Sequence, residues 1–462
     1  MPRRNLFLLF VAVVLAALCY QRPYLRVLAG AMARVERDAL EPVTERDLFE
    51  GAMDGMLGQL DKHSIYLAPD KLEGFYEEID QQFGGVGMMV AVDPGSRQLK
   101  VLCPLVDSPA CRAGILAGDL IVRIDNKATR GMSLEKANSL LRGDPDTSLT
   151  LSILHEGAKE PRDVHIVRKI VQVESVEGDT RNADGSWNFF LPGHDHIAYV
   201  HVTSFTAATA DELKRTLERL TARGMRGLVL DLRDNPGGYV QAGVDVCKLL
   251  IPPGVIVTVR DRDRTVREAH QADVRGPFAD VPLAVLVNGD TASAAEIVAA
   301  CLQDHHRAKI VGSRTYGKGT VQEVIELGQD YGAMKFTTAS YWRPSGRNIQ
   351  RPHERRAKGP WGVLPDAACQ VALKPDELEA WRQWRARRDM FASVADLTPS
   401  PENPADAAND NAGADDADAA ADDDDAETPA EKPKVIDPKK LKNFVDRQLR
   451  RAVECVEKPA HS

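Results

Sequence analysis

The chain has 462 residues, more than one hydrophobic core normally contains, so it is expected to fold as several domains. Its formal net charge at pH 7 is -9, but eleven of the acidic residues lie between 401 and 428, where there is no basic residue. The rest of the chain is therefore close to neutral, which gives no indication of a basic face for nucleic acid.

The N-terminus is typical of an exported protein. Arg3 and Arg4 precede the apolar run LFLLFVAVVLAALCY (6–20), which predicts a signal peptide or a short signal anchor within residues 1–30. No small-x-small cleavage site closes the run, and Leu18 is bulky for lipid attachment at Cys19. We favour an uncleaved anchor, with secretion after cleavage as the alternative. A helical segment is expected over 31–82.

Residues 83–170 contain a glycine-rich loop followed by a strand. The loop FGGVG (83–87) comes directly before the alternating run MMVAV, so the N–H groups of Gly85, Val86 and Gly87 are candidates for binding a peptide's terminal carboxylate. The edge of the strand would pair with the same peptide. Further along, one predicted helical face carries Leu134, Ala137, Leu140 and Leu141, and the last two face either the groove or the core. The alternative is a plain glycine-rich hairpin.

Residues 171–397 predict an α/β domain, because apolar strands alternate with amphipathic helices. The strand AYVHVTSF precedes a helix whose apolar stripe is Leu213, Leu217 and Leu220. A second strand, in RGLVLDLRDNPGGYV (226–240), ends in a Pro-Gly-Gly turn whose N–H groups no side chain obstructs. Gly237 or Gly238 is therefore a candidate donor to an oxyanion.

Ser293 lies where a predicted strand turns into a helix. The strand is VPLAVLV (281–287), the turn begins at Asn288-Gly289, and ASAAEIVAACLQ has helical composition. The free N–H groups and the positive end of the helix dipole can stabilise an oxyanion there, and the Ala294 N–H is the obvious donor. The alternative is that Ser293 only caps the helix.

Lys318 and Gln322 complete a candidate catalytic set within GSRTYGKGTVQ (312–322). A lysine can remove a serine proton if burial and neighbouring cations lower its pKa from about 10.4 to about 7 to 8. Gly317 and Gly319 allow the backbone to approach closely around Lys318. Gln322 is four residues on and lies on the same side as Lys318 in a strand or a helix, so it is predicted to orient the lysine.

Residues 398–434 predict a disordered acidic linker, because they are rich in Ala and Asp and hold little to bury. A solvated spacer is the expected role, and a cation or partner site is the alternative. Residues 435–462 predict an amphipathic helix with an apolar stripe of Leu441, Phe444, Val445, Leu449, Ala452, Val453 and Val456.

These motifs, in this order, resemble the carboxyl-terminal processing peptidases, which are serine peptidases with a Ser-Lys dyad and a PDZ domain. The resemblance covers roughly residues 35–370 and extends to LDKHSIYL (60–67), SPACRAGILAGDLIVRIDNKATRGMS (108–133), SYWRPSGRNIQ (340–350) and GVLPD (362–366). It implies an α/β catalytic core of the crotonase/ClpP-like type with an inserted PDZ domain. It also implies that the C-terminal helix folds back on that core; a dimer contact is the alternative.

The resemblance further implies an endopeptidase that needs no cofactor and acts on proteins or peptides with accessible C-termini. It places the enzyme in the periplasm, held at the inner membrane by the N-terminal segment. An activating adaptor protein and a homo-oligomer are both left open. The alternative function is a PDZ scaffold with an inert protease domain, but the intact Ser293, Lys318 and Gln322 argue against it.

The cysteines and histidines add few constraints. Of seven cysteines, six remain once Cys19 is set aside, and Cys103 and Cys111 lie close enough in sequence for a disulfide in an oxidising compartment, which the sequence alone does not establish. No metal site is predicted, because the residues 194–196 and His305-His306 are more typical of exposed loops than of a metal centre.

Overall fold

The computed structural model describes residues 23–93, 95–182, 185–352, 360–389, 441 and 444–458. They form two compact units, the first containing residues 23–74 and 321–338 and the second containing the remainder. The predicted N-terminal anchor (6–20) and acidic linker (398–434) lie outside the described residues. Within the described ranges, no helix is long and apolar enough to cross a membrane.

The elements of the described residues are as follows. The helices are α1 (Pro23–Asp38), α2 (Glu45–Leu57), α3 (Pro69–Asp80), α4 (Pro109–Arg112), α5 (Leu134–Leu141), α6 (Thr209–Ala222), α7 (Val240–Leu250), α8 (Ala294–Asp304), α9 (Pro375–Asp389) and α10 (Arg447–Glu457), with a 3-10 turn at Ala367–Cys369. The strands are β1 (Ile65–Leu67), β2 (Gln82–Gly85), β3 (Met88–Val92), β4 (Leu99–Pro104), β5 (Leu120–Ile124), β6 (Lys127–Ala128), β7 (Ser148–Leu154), β8 (Arg162–Val167), β9 (Lys169–Gln172), β10 (Val176–Glu177), β11 (Thr180–Arg181), β12 (Trp187–Asn188), β13 (Phe190–Leu191), β14 (His194–Val202), β15 (Gly227–Asp231), β16 (Gly254–Arg260), β17 (Val266–Ala272), β18 (Leu283–Val287), β19 (Lys309–Gly312), β20 (Thr320–Gly328) and β21 (Gly332–Trp342).

The first unit joins the N-terminal helices to the residues 321–338. A capping box begins α2: Thr44 Oγ1 accepts the Asp47 N–H at 3.1 Å, and Asp47 Oδ2 accepts the Thr44 N–H at 3.0 Å. Strand β1 pairs antiparallel with β21. The segment expected to be helical over 31–82 therefore also contains a strand, because Tyr66 and Leu67 are buried where β1 pairs with β21.

The glycine-loop region of the second unit is an antiparallel sheet. Its strand order is β3-β4-β5-β7-β8, and β6 pairs with β5; β2 and β9 form a separate two-stranded sheet. Helix α5 places Ala137 and Leu141 in the apolar core of this sheet, with Leu134 and Leu140 packed against that core. Leu141 therefore belongs to the core, and Leu140 lies at its border.

The region predicted to be α/β is built on a parallel sheet. Strands β14, β15, β18 and β19 are parallel in that order, and β10 and β13 pair antiparallel with β14. Helical crossovers join the parallel strands, as parallel pairing requires. Leu213, Leu217 and Leu220 of α6 are all buried, as their spacing predicts. Strands β16 and β17 form an antiparallel hairpin, and the end of β21 pairs with β16.

Helix α10 packs on one face of this parallel sheet. Ala452, Val453 and Val456 lie in the same buried cluster as Tyr199, Val229, Ala284, Leu286 and Val311. The helix begins at Arg447, later than residue 435, because the Asp446 side chain accepts the N–H groups of Gln448 and Leu449. Val445 precedes the helix and is exposed. The C-terminal segment therefore folds back on its own chain.

Candidate active site

Ser293 occupies a strained turn between β18 and α8. Its backbone has φ 54° and ψ -119°, a combination that residues other than glycine rarely adopt. Such a conformation costs roughly 1 to 3 kcal/mol and persists only where the surroundings hold it. The Ser293 N–H donates to Glu296 Oε2 at 3.1 Å, and the side chain is half-buried at the N-terminus of α8.

Glu296 is the buried carboxylate that holds this turn, and the sequence reasoning missed it. Its Oε1 accepts the Thr315 hydroxyl at 2.6 Å and the Gly317 N–H at 2.8 Å. Its Oε2 accepts the Lys318 N–H at 2.8 Å in addition to the Ser293 N–H. The backbones of Ser293 and Lys318 therefore share one carboxylate oxygen.

The environment of Glu296 has two opposing effects on its ionisation. Burial raises the pKa of the carboxyl, and the hydrogen bonds from Thr315, Lys318, Gly317 and Ser293 oppose that rise. All four donors are N–H or O–H groups, so they match the ionised form. The Ser-x-x-Glu spacing of a capping box was the available sequence pattern for this residue.

The glycines beside Lys318 are required by close packing, as predicted. A Cβ at Gly317 would lie 2.7 Å from Trp361 Cε3, and one at Gly319 would lie 2.3 Å from the Gln350 backbone N. The Gly319 N–H also donates to Gln350 Oε1 at 2.8 Å. The turn that carries Lys318 is thus fixed by Glu296 on one side and by Gln350 on the other.

Gln322 lies in strand β20, in the first unit of the chain. Its Nε2 donates to Thr337 Oγ1 at 3.0 Å. The role of Gln322 in orienting Lys318 stays a prediction.

The Pro-Gly-Gly turn adjoins the Ser293 turn. A Cβ at Gly237 would lie 2.7 Å from Ser293 Cβ and 3.1 Å from the Ala294 N, and φ at Gly237 is 108°. The Gly237 N–H donates to Asn235 Oδ1 at 2.8 Å, whereas Gly238 is exposed. Of the two glycines, Gly238 is therefore the better candidate to donate to an oxyanion together with Ala294.

Polar side chains tie these two turns to each other. Asn288 Nδ2 donates to Asp234 Oδ1 at 2.6 Å, and the Asp234 N–H donates to Asn288 Oδ1 at 3.0 Å. Arg382, from helix α9, contacts both turns: its Nε lies 2.7 Å from Asp234 Oδ2 and its Nη2 lies 2.7 Å from Asp290 Oδ2. Arg382 was also missed, because nothing local marks a contact 148 residues away.

The predicted carboxylate loop is ordered by backbone contacts. Gly85 pairs with Lys169 in the β2–β9 ladder, so Val86 and Gly87 form the loop itself. Their carbonyls accept the N–H groups of Ala110 and Leu105, at 2.8 Å and 3.0 Å. All three residues of the predicted loop are buried, and the peptide-binding role of Gly85, Val86 and Gly87 stays a prediction. Among the described residues, β3 is the terminal strand of its sheet.

A strained serine at a helix N-terminus with glycine turns beside it, together with a separate antiparallel sheet, is the arrangement expected of a serine-type peptidase with a PDZ domain. Comparisons with known proteins agree: the model of peptidase family S41 matches residues 196–368, and a PDZ domain model matches residues 101–154. The chain belongs to peptidase family S41. The predicted α/β catalytic core with a PDZ domain is confirmed.

Two named relatives support the same assignment. A carboxy-terminal-processing protease of Bartonella bacilliformis is 37% identical over 337 residues, covering 71% of each chain. A carboxyl-terminal-processing protease of Synechocystis sp. is 32% identical and covers 73% of this chain and 75% of the relative. A solved photosystem II D1 C-terminal processing protease is 31% identical, with a TM-score of 0.43, and covers 76% of this chain and 93% of that one.

Proposed function

We propose that this serine-type peptidase captures the C-terminus of a protein on its PDZ domain and cleaves the chain with Ser293 as nucleophile and Lys318 as base. The observation that carries the proposal is the Glu296 carboxylate, which binds the backbone N–H groups of both Ser293 and Lys318. An inert domain would have no use for a strained serine fixed to a lysine turn through a buried charge.

The proposed reaction proceeds in two stages. Ser293 Oγ attacks the scissile carbonyl while the neutral Lys318 amine takes its proton, and the N–H groups of Ala294 and Gly238 donate to the oxyanion. Lys318 then protonates the leaving amine. Water, activated by the same lysine, releases the acyl group from Ser293 and regenerates the enzyme. Gln322 is assigned the task of holding Lys318 in place.

Substrate capture is assigned to the PDZ domain. The N–H groups of Val86 and Gly87 would bind the terminal carboxylate, and the edge of β3 would pair with the extended tail. A Cβ at Gly87 would lie 2.4 Å from Ser108 Cβ, and φ there is 74°, so the loop conformation needs glycine. This supports a preformed site for a carboxylate.

Covalent labelling tests the proposal against an inert scaffold. The whole protein is treated with a serine-reactive fluorophosphonate, and the modified peptide is mapped by mass spectrometry. Modification at Ser293, absent from the Ser293→Ala variant, is expected. Lack of any labelling, together with retained binding of C-terminal peptides, would favour the scaffold.

The location is part of the proposal. Residues 6–20 are assigned to an inner-membrane anchor that leaves the peptidase in the periplasm, on the strength of the apolar run after Arg3 and Arg4. N-terminal sequencing of the protein recovered from membranes tests this. A mature N-terminus beyond residue 20 in the soluble fraction would replace the anchor with a cleaved signal peptide.

A further inference from the structure

Two cysteines far apart in the sequence lie side by side in the fold. Cys369 Sγ and Cys455 Sγ are 3.5 Å apart, although the residues are separated by 86 positions. Cys369 ends the 3-10 turn that contacts β19, and Cys455 lies in the last part of α10. All six cysteines among the described residues are free thiols, including Cys103, which is buried, and Cys111, which is exposed.

The surroundings of the cysteine pair are rigid. Arg451 Nε donates to the Ala368 carbonyl at 3.1 Å, and Gln448 Nε2 donates to the Val371 carbonyl at 2.7 Å. These contacts hold one side of α10 against the segment that carries Cys369. Because these contacts keep the two segments together, the sulfur atoms would have to close from 3.5 Å to the bonding distance of about 2.05 Å.

We propose that Cys369 and Cys455 form a disulfide bond that staples α10 to the catalytic core. The loop it closes contains the whole stretch between α9 and α10, including the acidic residues 401–428, so the bond would keep α10 attached even after that stretch is cut. A disulfide across so long a loop removes much conformational freedom from the unfolded chain.

The chemistry is a thiol–disulfide exchange with a disulfide as oxidant. The Cys455 thiolate attacks one sulfur of the oxidant and releases its first thiol; the Cys369 thiolate then attacks the mixed disulfide at Cys455 and releases the second. One disulfide is reduced, one is formed, and the two protons lost by the cysteines are taken up by the released thiols. Cys455 is partly exposed and Cys369 is buried, so the oxidant meets Cys455 first.

Burial and the hydrogen bond with Cys369 raise the pKa of the Cys455 thiol to about 12. Little thiolate is present at neutral pH, so the exchange is slow and a mildly alkaline incubation is needed. A second pair, Cys247 and Cys301, is also in contact, but both residues are completely buried between α7 and α8 and are closed to an oxidant.

The disulfide would keep α10 in place, and α10 supports the candidate active site. Asp446 Oδ2 lies 2.9 Å from Arg233 Nη2, and Gln448 Oε1 accepts Arg233 Nη1 at 3.0 Å. Arg233 directly precedes Asp234, which begins the turn leading to Gly237. Loss of α10 would leave the buried Arg233 without these partners.

Peptide mapping of the wild-type chain tests the bond without any mutation. The protein is incubated with oxidised glutathione at about pH 8.5, alkylated, digested and mapped without reductant. A peptide joining Cys369 to Cys455 is expected, and it should disappear on reduction. Recovery of both residues as alkylated thiols, or of Cys455 joined to any other cysteine, would overturn the proposal.

A cleavage experiment tests the stapling. A protease recognition sequence is inserted after residue 410 and cut in the oxidised, otherwise intact protein. The fragment containing Cys455 is expected to stay linked to the remainder on a denaturing gel until reductant is added. In the Cys369→Ser and Cys455→Ser chains it should separate without reductant, whereas Cys111→Ser should behave as wild type. Separation from the oxidised wild type would contradict the staple.

Thermal unfolding gives an independent measurement. Oxidation is expected to raise Tm of the wild type by roughly 5 to 10 °C relative to the reduced protein, from the usual stabilisation by a disulfide that closes a long loop. The same treatment should leave Tm of Cys455→Ser unchanged and should still raise that of Cys111→Ser. An equal rise in Cys455→Ser would assign the stabilisation to another pair.

Discussion

At the scale of single residues, Ser293 is held in an unusual backbone conformation by its neighbours. Its backbone lies in a conformation rare for serine, and its N–H is bound by a carboxylate that also binds the Lys318 N–H. A capping box accounts for the bond from the Ser293 N–H to Glu296, but it does not require the rare backbone conformation or the second bond from Glu296 to the Lys318 N–H. The surroundings therefore hold Ser293 in a conformation that a helix cap does not require.

The first prediction concerns the two residues assigned to catalysis. Ser293→Ala and Lys318→Ala should each lower peptidase activity by roughly a thousandfold or more while the chain stays folded, and the double variant should be no worse, since residues that act as one unit are not additive. Turnover of a peptide substrate and circular dichroism measure the two properties. Ser313→Ala is the control. Retained turnover of Lys318→Ala at neutral pH would exclude lysine as the base.

The second prediction concerns Glu296. In Glu296→Gln one acceptor oxygen becomes an NH₂ group facing N–H donors, which leaves buried groups unpaired. The free energy of unfolding should fall by about 1 to 3 kcal/mol, and fluorophosphonate labelling of Ser293 should slow. Urea unfolding and labelling rates measure these effects, with Glu218→Gln on the exposed side of α6 as control. Unchanged values for both would show that Glu296 positions neither turn.

At the scale of elements, helices α9 and α10 lie near the C-terminal end of the described residues and contact the parallel sheet and its turns. Arg382 of α9 reaches the turns after β15 and β18, and α10 lies on strands β15, β18 and β19. Parallel strands place their carboxyl ends at one edge, and these two helices secure the turns that leave that edge.

The third prediction is that Arg382→Gln loosens the two turns. Its side chain is 42% exposed, so its ion pairs with Asp234 and Asp290 are partly screened and are worth only about 1 kcal/mol. We expect kcat to fall about fivefold with little change in KM. Arg382→Lys should recover part of the loss, and Arg215→Gln should have no effect. A change confined to KM would point to substrate contact instead.

The fourth prediction tests how α10 sits on the sheet. A Cβ at Gly227 would lie 2.2 Å from Val456 Cγ1, so Gly227→Ala should push α10 away from β15. Val456→Ala removes the obstructing methyl groups and alone should cost about 1 to 3 kcal/mol. In urea unfolding, the double variant should lose about 1 kcal/mol less stability than the sum of the losses of the two single variants. Strict additivity would mean that the two positions do not meet.

At the scale of the whole molecule, a binding domain and a catalytic domain share one chain. The proposed division of labour requires that a bound C-terminus change the rate of cleavage elsewhere in the substrate. A coupling of about 1 to 3 kcal/mol would alter activity about 5- to 150-fold.

The fifth prediction follows from that coupling. A protein substrate with an amidated C-terminus should be cleaved several-fold more slowly than the same substrate with a free carboxylate, because the loop at Val86 and Gly87 loses its anionic ligand. A short peptide that spans only the cleavage site should be cut at the same rate in both forms. Equal rates for both protein substrates would remove the PDZ domain from substrate capture.

The sequence by itself determined the family, the α/β core with its PDZ domain and the turn that presents Ser293. Each of these is encoded by residues close together along the chain. The patterns are a β-branched strand, an Asn-Gly turn and a helical run, or a glycine loop before an alternating strand. The glycines around Lys318 were also predicted, since tight backbone packing selects glycine locally.

The tertiary structure alone decided which distant groups meet. Gly317 and Glu296 are separated by 21 positions, Cys369 and Cys455 by 86, and Arg382 and Asp234 by 148. No local pattern encodes such pairs, because each contact depends on how the sheet and the helices that flank it pack. The cysteine pair and the residues that position Ser293 are therefore properties of the fold, whereas the turn that presents Ser293 is encoded locally in the sequence.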